Sequence, residues 1–126
     1  MRILLATLFL ALFSMESVAA GCLTGDCNRT GSGFVLCALA LEKLPTTDAC
    51  VVGHAAYFVA YVDGVFDSLS HRQVVCPPAE VTRDQGRVVV KKYLQENPER
   101  WHLHIFALTR DALLKAFPCG ANSGLR

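Results

Sequence analysis

His54 follows Cys50 by four residues, and His102 and His104 flank Leu103. These are the residue types that could act as a base, a nucleophile or a metal ligand. Their spacing argues against each role. A thiol nucleophile needs a free cysteine, and all six cysteines (Cys22, Cys27, Cys37, Cys50, Cys76, Cys119) lie downstream of an export-type leader, where disulfides are the default. A zinc site needs close cysteine pairs or a matched histidine pair, and the chain has no C-x-x-C. His102 and His104 are two apart, so a helix cannot turn both toward one ligand. No G-x-S-x-G or H-E-x-x-H occurs. The residues therefore predict no enzyme, no metal and no cofactor.

The leader has three parts. Arg2 precedes an apolar run from Ile3 to Phe13, and small residues end in Val18-Ala19-Ala20. Roughly 20 apolar residues are needed to span a bilayer, so the run reads as a signal peptide over residues 1–20, cleaved after Ala20, and not as a membrane span. Residues 21–126 form the mature domain, exported to the periplasm. Ala19-Ala20-Gly21-Cys22 also loosely matches a lipidation site that would put a lipid anchor on Cys22; it lacks the usual leucine. The formal net charge of the 126 residues is +1, which gives no basis for binding nucleic acid.

The expected fold is all-α: one small, disulfide-bonded domain of four helices. Between Cys50 and Asp67, apolar residues recur at helical spacing over five turns. A second stripe of small and aromatic residues (Gly53, Tyr57, Ala60, Tyr61, Gly64, Ser68) lies beside the first, so this helix reads as central, with neighbours on several sides. It is predicted over residues 48–71, capped by Thr47. A first helix is predicted over 34–43, with Ser32 as its cap and Pro45 as its stop. A third starts at the capping box Thr82-Arg83-Asp84-Gln85 and runs to about Glu96, before Asn97-Pro98. A fourth spans about 103–117, before Pro118.

Short connections favour antiparallel neighbours. That places Cys76 and Cys119 at one end of the bundle and Cys37 and Cys50 at the other. Of the 15 pairings that six cysteines allow, this layout favours 76–119, 37–50 and, by remainder, 22–27.

Two surface features suggest a partner. Arg83, Arg87 and Lys91 recur every four residues as a basic ridge, read either as a solvated face or as a docking surface for an acidic partner. Two stiff corners flank it: Cys76-Pro77-Pro78-Ala79-Glu80, and Asn97-Pro98-Glu99-Arg100-Trp101 with the only tryptophan. Pro77, Glu80 and Trp101 are the candidate contacts there. Tryptophan is a common interface anchor, although Trp101 could equally be tucked under its corner.

The Cys50–His54 spacing is similar to that of secreted phospholipases. Ala55, however, stands where that pattern has aspartate, and no glycine-rich calcium loop lies upstream. A second resemblance covers residues 34–119. It rests on an ordered set: Cys37, Cys50, Tyr61-Val62-Asp63-Gly64-Val65-Phe66-Asp67, Cys76-Pro77-Pro78, Val81-Thr82, Val89-Val90-Lys91-Lys92-Tyr93-Leu94, Pro98, His102 and Ala112-Leu113-Leu114-Lys115-Ala116-Phe117-Pro118-Cys119. In order and spacing this resembles the Rap/Tai family of immunity proteins. The resemblance implies an exported, disulfide-bonded helical protein, often a homodimer. Such a protein has no catalysis and occludes the cleft of a type VI secreted peptidoglycan amidase toxin. Two departures stand out. Cys22 and Cys27 are additions, and His104 replaces a common proline, which implies an earlier start to the fourth helix. The alternative from another class is a small periplasmic stress chaperone, to be separated by client aggregation at about pH 3; only four histidines and no dense acidic cluster are present for that role.

Overall fold

The structure is a computed structural model that describes Cys27 and residues 29–120. The predicted leader, with its cleavage site, and Cys22 lie outside the described residues. The helices are α1 (Gly31–Ala40), α2 (Ala49–His71), α3 (Arg83–Glu96) and α4 (Ile105–Ala116). Single 3-10 turns follow α1 (Leu41–Lys43) and α3 (Pro98–Arg100). Among the described residues no strand forms, only one isolated antiparallel bridge between Thr30 and His104. The all-α reading holds.

Helix ends depend on where the unpaired backbone amides find acceptors. At α3 the capping box forms as read: Thr82 N–H donates to Gln85 Oε1 (2.7 Å) and Gln85 N–H to Thr82 Oγ1 (3.3 Å). At α2 the cap is Asp48, one residue after the expected Thr47. Its carboxylate accepts from Cys50 N (2.9 Å) and Val51 N (3.3 Å). α1 starts at Gly31, earlier than predicted, without the Ser32 cap. The amides of Gly31 and Ser32 donate instead to the carbonyls of Leu103 and Trp101, each at 3.1 Å. The start of α1 is thus capped by a distant loop. α4 starts later than the expected earlier start, because His104 Nδ1 accepts from Phe106 N (3.1 Å) and acts as the cap.

α2 packs against each of the other three helices. Its Phe58 and Val62 are fully buried, with Phe34 of α1, Leu94 of α3 and Leu108 and Leu113 of α4. Phe34 and Phe58 lie 5.0 Å apart, and Tyr61 meets Phe34 edge-on at 5.4 Å, both favourable ring geometries. Gly31 permits a close approach that a side chain would block, whereas Gly86 has room for ordinary contact. A Cβ on Gly31 would collide with the Leu108 side chain and stand 2.9 Å from Trp101 Cα. A Cβ on Gly86 would touch the ring of Phe66 at 3.5 Å.

Cys76–Cys119 is bonded as expected and joins the ends of α2 and α4. The other pairings are corrected. Cys37 is bonded to Cys27, not to Cys50, so neither 37–50 nor 22–27 forms. The reason is the earlier start of α1. Cys37 then falls in the interior of that helix, fully buried, facing the turn that precedes it. Cys50 is also disulfide-bonded.

Near the α3–α4 corner, Arg100 binds Tyr93 Oη and Asp111 (2.7 Å), and Arg110 also reaches Asp111 (3.0 Å). Burial alone would raise the Asp111 pKa, but hydrogen bonds from Arg100 and Arg110 outweigh it and hold the carboxyl below its usual value.

Two outcomes follow from this arrangement. Replacing both Cys76 and Cys119 with serine removes a cross-link over 43 positions. It should lower unfolding free energy by about 4 kcal/mol in denaturant titration. Under mild reductant these two, partly exposed, should be alkylated before buried Cys27 and Cys37. Asp111→Asn should destabilise the chain at pH 7. A depressed carboxyl stabilises above its unfolded pKa of about 3.9 and loses that contribution as pH falls through the folded value. The gap between variant and parent in thermal unfolding should therefore narrow as pH falls below about 3.9.

Candidate partner-binding surface

The basic ridge is built on α3, but the structure turns it inward along α2. Asp63 and Asp67 project from α2 one turn apart, and Glu42 projects from the turn after α1. Arg83 pairs with Asp67 at 2.7 Å, with both side chains at least half exposed. Arg87 grips Asp63 with Nε (2.7 Å) and Nη2, and Asp84 with Nη1. This is the fork geometry that suits guanidinium and carboxylate. The Arg87–Asp63 pair is largely covered, at 23% and 19% exposure. The hydrogen bond that Arg87 donates to Asp63 raises the Arg87 pKa despite burial. Lys91 pairs with Glu42. Each cation of the ridge thus has a carboxylate within the chain, and the ridge binds α3 to α2 and to the end of α1.

Beside these paired charges the surface also offers apolar side chains outward. Val88 is 64% exposed, although it sits one residue from Arg87. Beside it, Leu41, Val59 and Val88 line a shallow pocket of about 210 Å³, with Asp84, Arg87 and Lys91 around them. On α2, Val52, Ala56, Ala60 and Gly64 form an exposed row at four-residue spacing. A Cβ added at Gly53 or Gly64 would meet nothing within 4 Å. Tyr57 and Tyr61 stack next to this row with centroids 6.0 Å apart. Burial raises the pKa of both phenols, and Tyr57 adds to the effect on Tyr61. α2 has the length and apolar composition of a membrane span, but six of its residues are core. Its other side, expected to meet neighbours, is open among the described residues.

The two corners do not converge. Pro77 and Glu80 precede α3, whereas Trp101 follows it. A helix of 14 residues separates them by about 20 Å. The first corner is held by the 76–119 bond, by Cys76 N donating to Phe117 O (2.9 Å) and by Val81 N donating to Pro78 O (3.0 Å). Pro77 is partly covered and Glu80 exposed. Trp101 is half-buried against the core, and its indole N–H donates to Leu94 O at 2.7 Å. It closes the corner, and its own carbonyl caps α1.

The sequence placed Ala60 and Gly64 in a small-residue stripe beside Tyr57 and Tyr61, a flat patch for self-association, but the exposure of Val52, Ala56 and Val88 was missed. The four-residue recurrence of Val52, Ala56, Ala60 and Gly64 was the available signal. It was masked by the general apolarity of the helix.

Comparison with known proteins adds one finding. The family model of Rap1a immunity proteins matches residues 32–119, from the first turn of α1 to the bridge after α4. No curated protein and no solved structure matches the chain. A family whose model covers all four helices and most of the sequence fixes membership: the chain belongs to the Rap1a immunity proteins.

Proposed function

We propose that this chain is exported to the periplasm, binds a peptidoglycan amidase delivered by type VI secretion, and occludes the amidase cleft without catalysis of its own. The family match over residues 32–119 carries this reading, because membership implies an immunity protein against a secreted toxin. The apolar run and small-residue site at residues 1–20 support export. The plug is the Pro77–Glu80 corner. It is rigid before contact, so little ordering entropy opposes binding. Arg83, Arg87, Lys91 and Trp101 contribute indirectly, by fixing α3 and the second corner in place.

The test is co-expression with an amidase toxin encoded beside this chain. Periplasmic amidase alone should lyse the host, and the chain should restore growth. Glu80→Arg should speed dissociation of the purified complex about tenfold, equivalent to about 1.4 kcal/mol. An amidase with no affinity for the chain would sink the proposal. Arg87→Glu is a poor probe of the interface, since it would set a third carboxylate beside Asp63 and Asp84.

We also propose a homodimer through the open row of α2. Glycine in a helix interior costs about 1 kcal/mol relative to alanine. At Gly53 and Gly64 no contact within the described residues requires it. Close approach by the same face of a second copy would. Gly64→Leu should leave the monomer folded and abolish the dimer in sedimentation velocity. A parent chain that is monomeric at every concentration removes the claim.

A further inference from the structure

His54 carries a nitrogen without a partner. Its Nε2 is buried and makes no hydrogen bond among the described residues. The ring lies against the sulfurs of Cys27 and Cys37: the two Sγ atoms and a ring nitrogen all fall within 4.8 Å of one another. While the sulfurs are bonded to each other, neither has a proton to donate. The disulfide therefore offers the imidazole no hydrogen-bond donor.

Reduction changes what the three groups can do. A dithiol supplies two electrons and two protons and leaves as its disulfide. A phosphine supplies two electrons, while water supplies two protons and the oxygen of the phosphine oxide. Either way the S–S bond becomes two thiols. Two sulfurs and one imidazole then face a common point. Their Cα atoms, 6.0 Å apart across the cysteine pair, already allow both sulfurs to reach it. Cys37 is fixed on α1, His54 on α2 and Cys27 in the turn before α1, so the site is assembled by packing that the core maintains.

We propose that the reduced chain binds one Cu(I) ion through Cys27, Cys37 and His54. Uptake displaces the two thiol protons. Two thiolates with an imidazole favour a soft or borderline ion. The number of ligands chooses between the candidates. Zinc takes four, with water in the fourth place when the protein supplies three. Here Cys27 is 6% exposed and Cys37 fully buried, so that water would have to enter the core. Cu(I) is satisfied by three. Disulfide and metal use the same sulfurs and exclude one another. The proposal is independent of the immunity reading.

The test uses the full chain, reduced with a phosphine under argon and titrated with Cu(I) against bicinchoninate. One Cu(I) per chain should be retained, and X-ray absorption should show two sulfur ligands and one nitrogen. The oxidised chain should retain none. His54→Gln leaves every cysteine in place and should weaken retention at least about tenfold, since even an outer-shell partner is worth about 10–100-fold. Sulfur-only coordination, or retention indifferent to His54→Gln, would place the ion on the other thiols and overturn the proposal. Tighter retention of Zn(II) than of Cu(I), or loss of the helical circular dichroism signal on reduction, overturns it equally.

Discussion

The contact between Phe34 of α1 and Phe58 of α2 is the one on which the remaining packing rests. Both rings are fully buried, and their tilted contact brings the first two helices together before any charge or disulfide is considered. Burying side chains of this size contributes about 1.5–3 kcal/mol each. Phe58 sits on the longest helix, so its placement sets where the other helices must go. Leu94 and Leu108 complete the same cluster from α3 and α4. The cross-links act at the margins of this core: one holds the entry turn to α1, the other ties the chain beyond α2 to the chain beyond α4.

Charge and apolar surface exchange their usual roles on this protein. Solvated cations normally cover the outside of a small helical domain. Here Arg87 and Lys91 are spent on Asp63 and Glu42, and the arginine pair is largely covered. Removing one member of such a pair is more harmful than its net stabilisation suggests, because the other charge is left stranded. The helix faces left to solvent carry Val52, Val88 and Leu36. On α2, Val52 begins the exposed row with Ala56, Ala60 and Gly64, and apolar surface gathered in this way signals contact with another protein. This supports the proposed interaction role more than any cationic steering does.

Local chemistry was legible in the sequence, and distant chemistry was not. The Thr82–Gln85 capping box, the stops at Asn97-Pro98 and Pro118, and the shared end of Cys76 and Cys119 were all set by residues close in sequence or by bundle geometry. The starts of α1 and α4 were misplaced by two or three residues. One is capped by the carbonyls of Leu103 and Trp101, some 70 positions away, and the other by a histidine side chain. The Cys27–Cys37 bond depended on that misplaced start. The ridge at Arg83, Arg87 and Lys91 was found, but its orientation was not. Apart from Asp84 on α3 itself, its acceptors lie 16 positions or more away on other elements, and helical periodicity on α3 alone carries no information about those.

The bond between Cys76 and Cys119 also makes a covalent circle of everything between those positions: α3, its 3-10 turn and α4. α2 enters the circle at one point only. A single backbone cut within it, at exposed Pro78 or Glu99 for instance, opens the circle into a strand still attached at both ends. Neither half can diffuse away. The two helices then re-dock as parts of one molecule, with an effective concentration set by the tether and not by the protein in solution. Clipping at the corners, where a rigid plug is most exposed to peptidases, would therefore leave the assembled core in place.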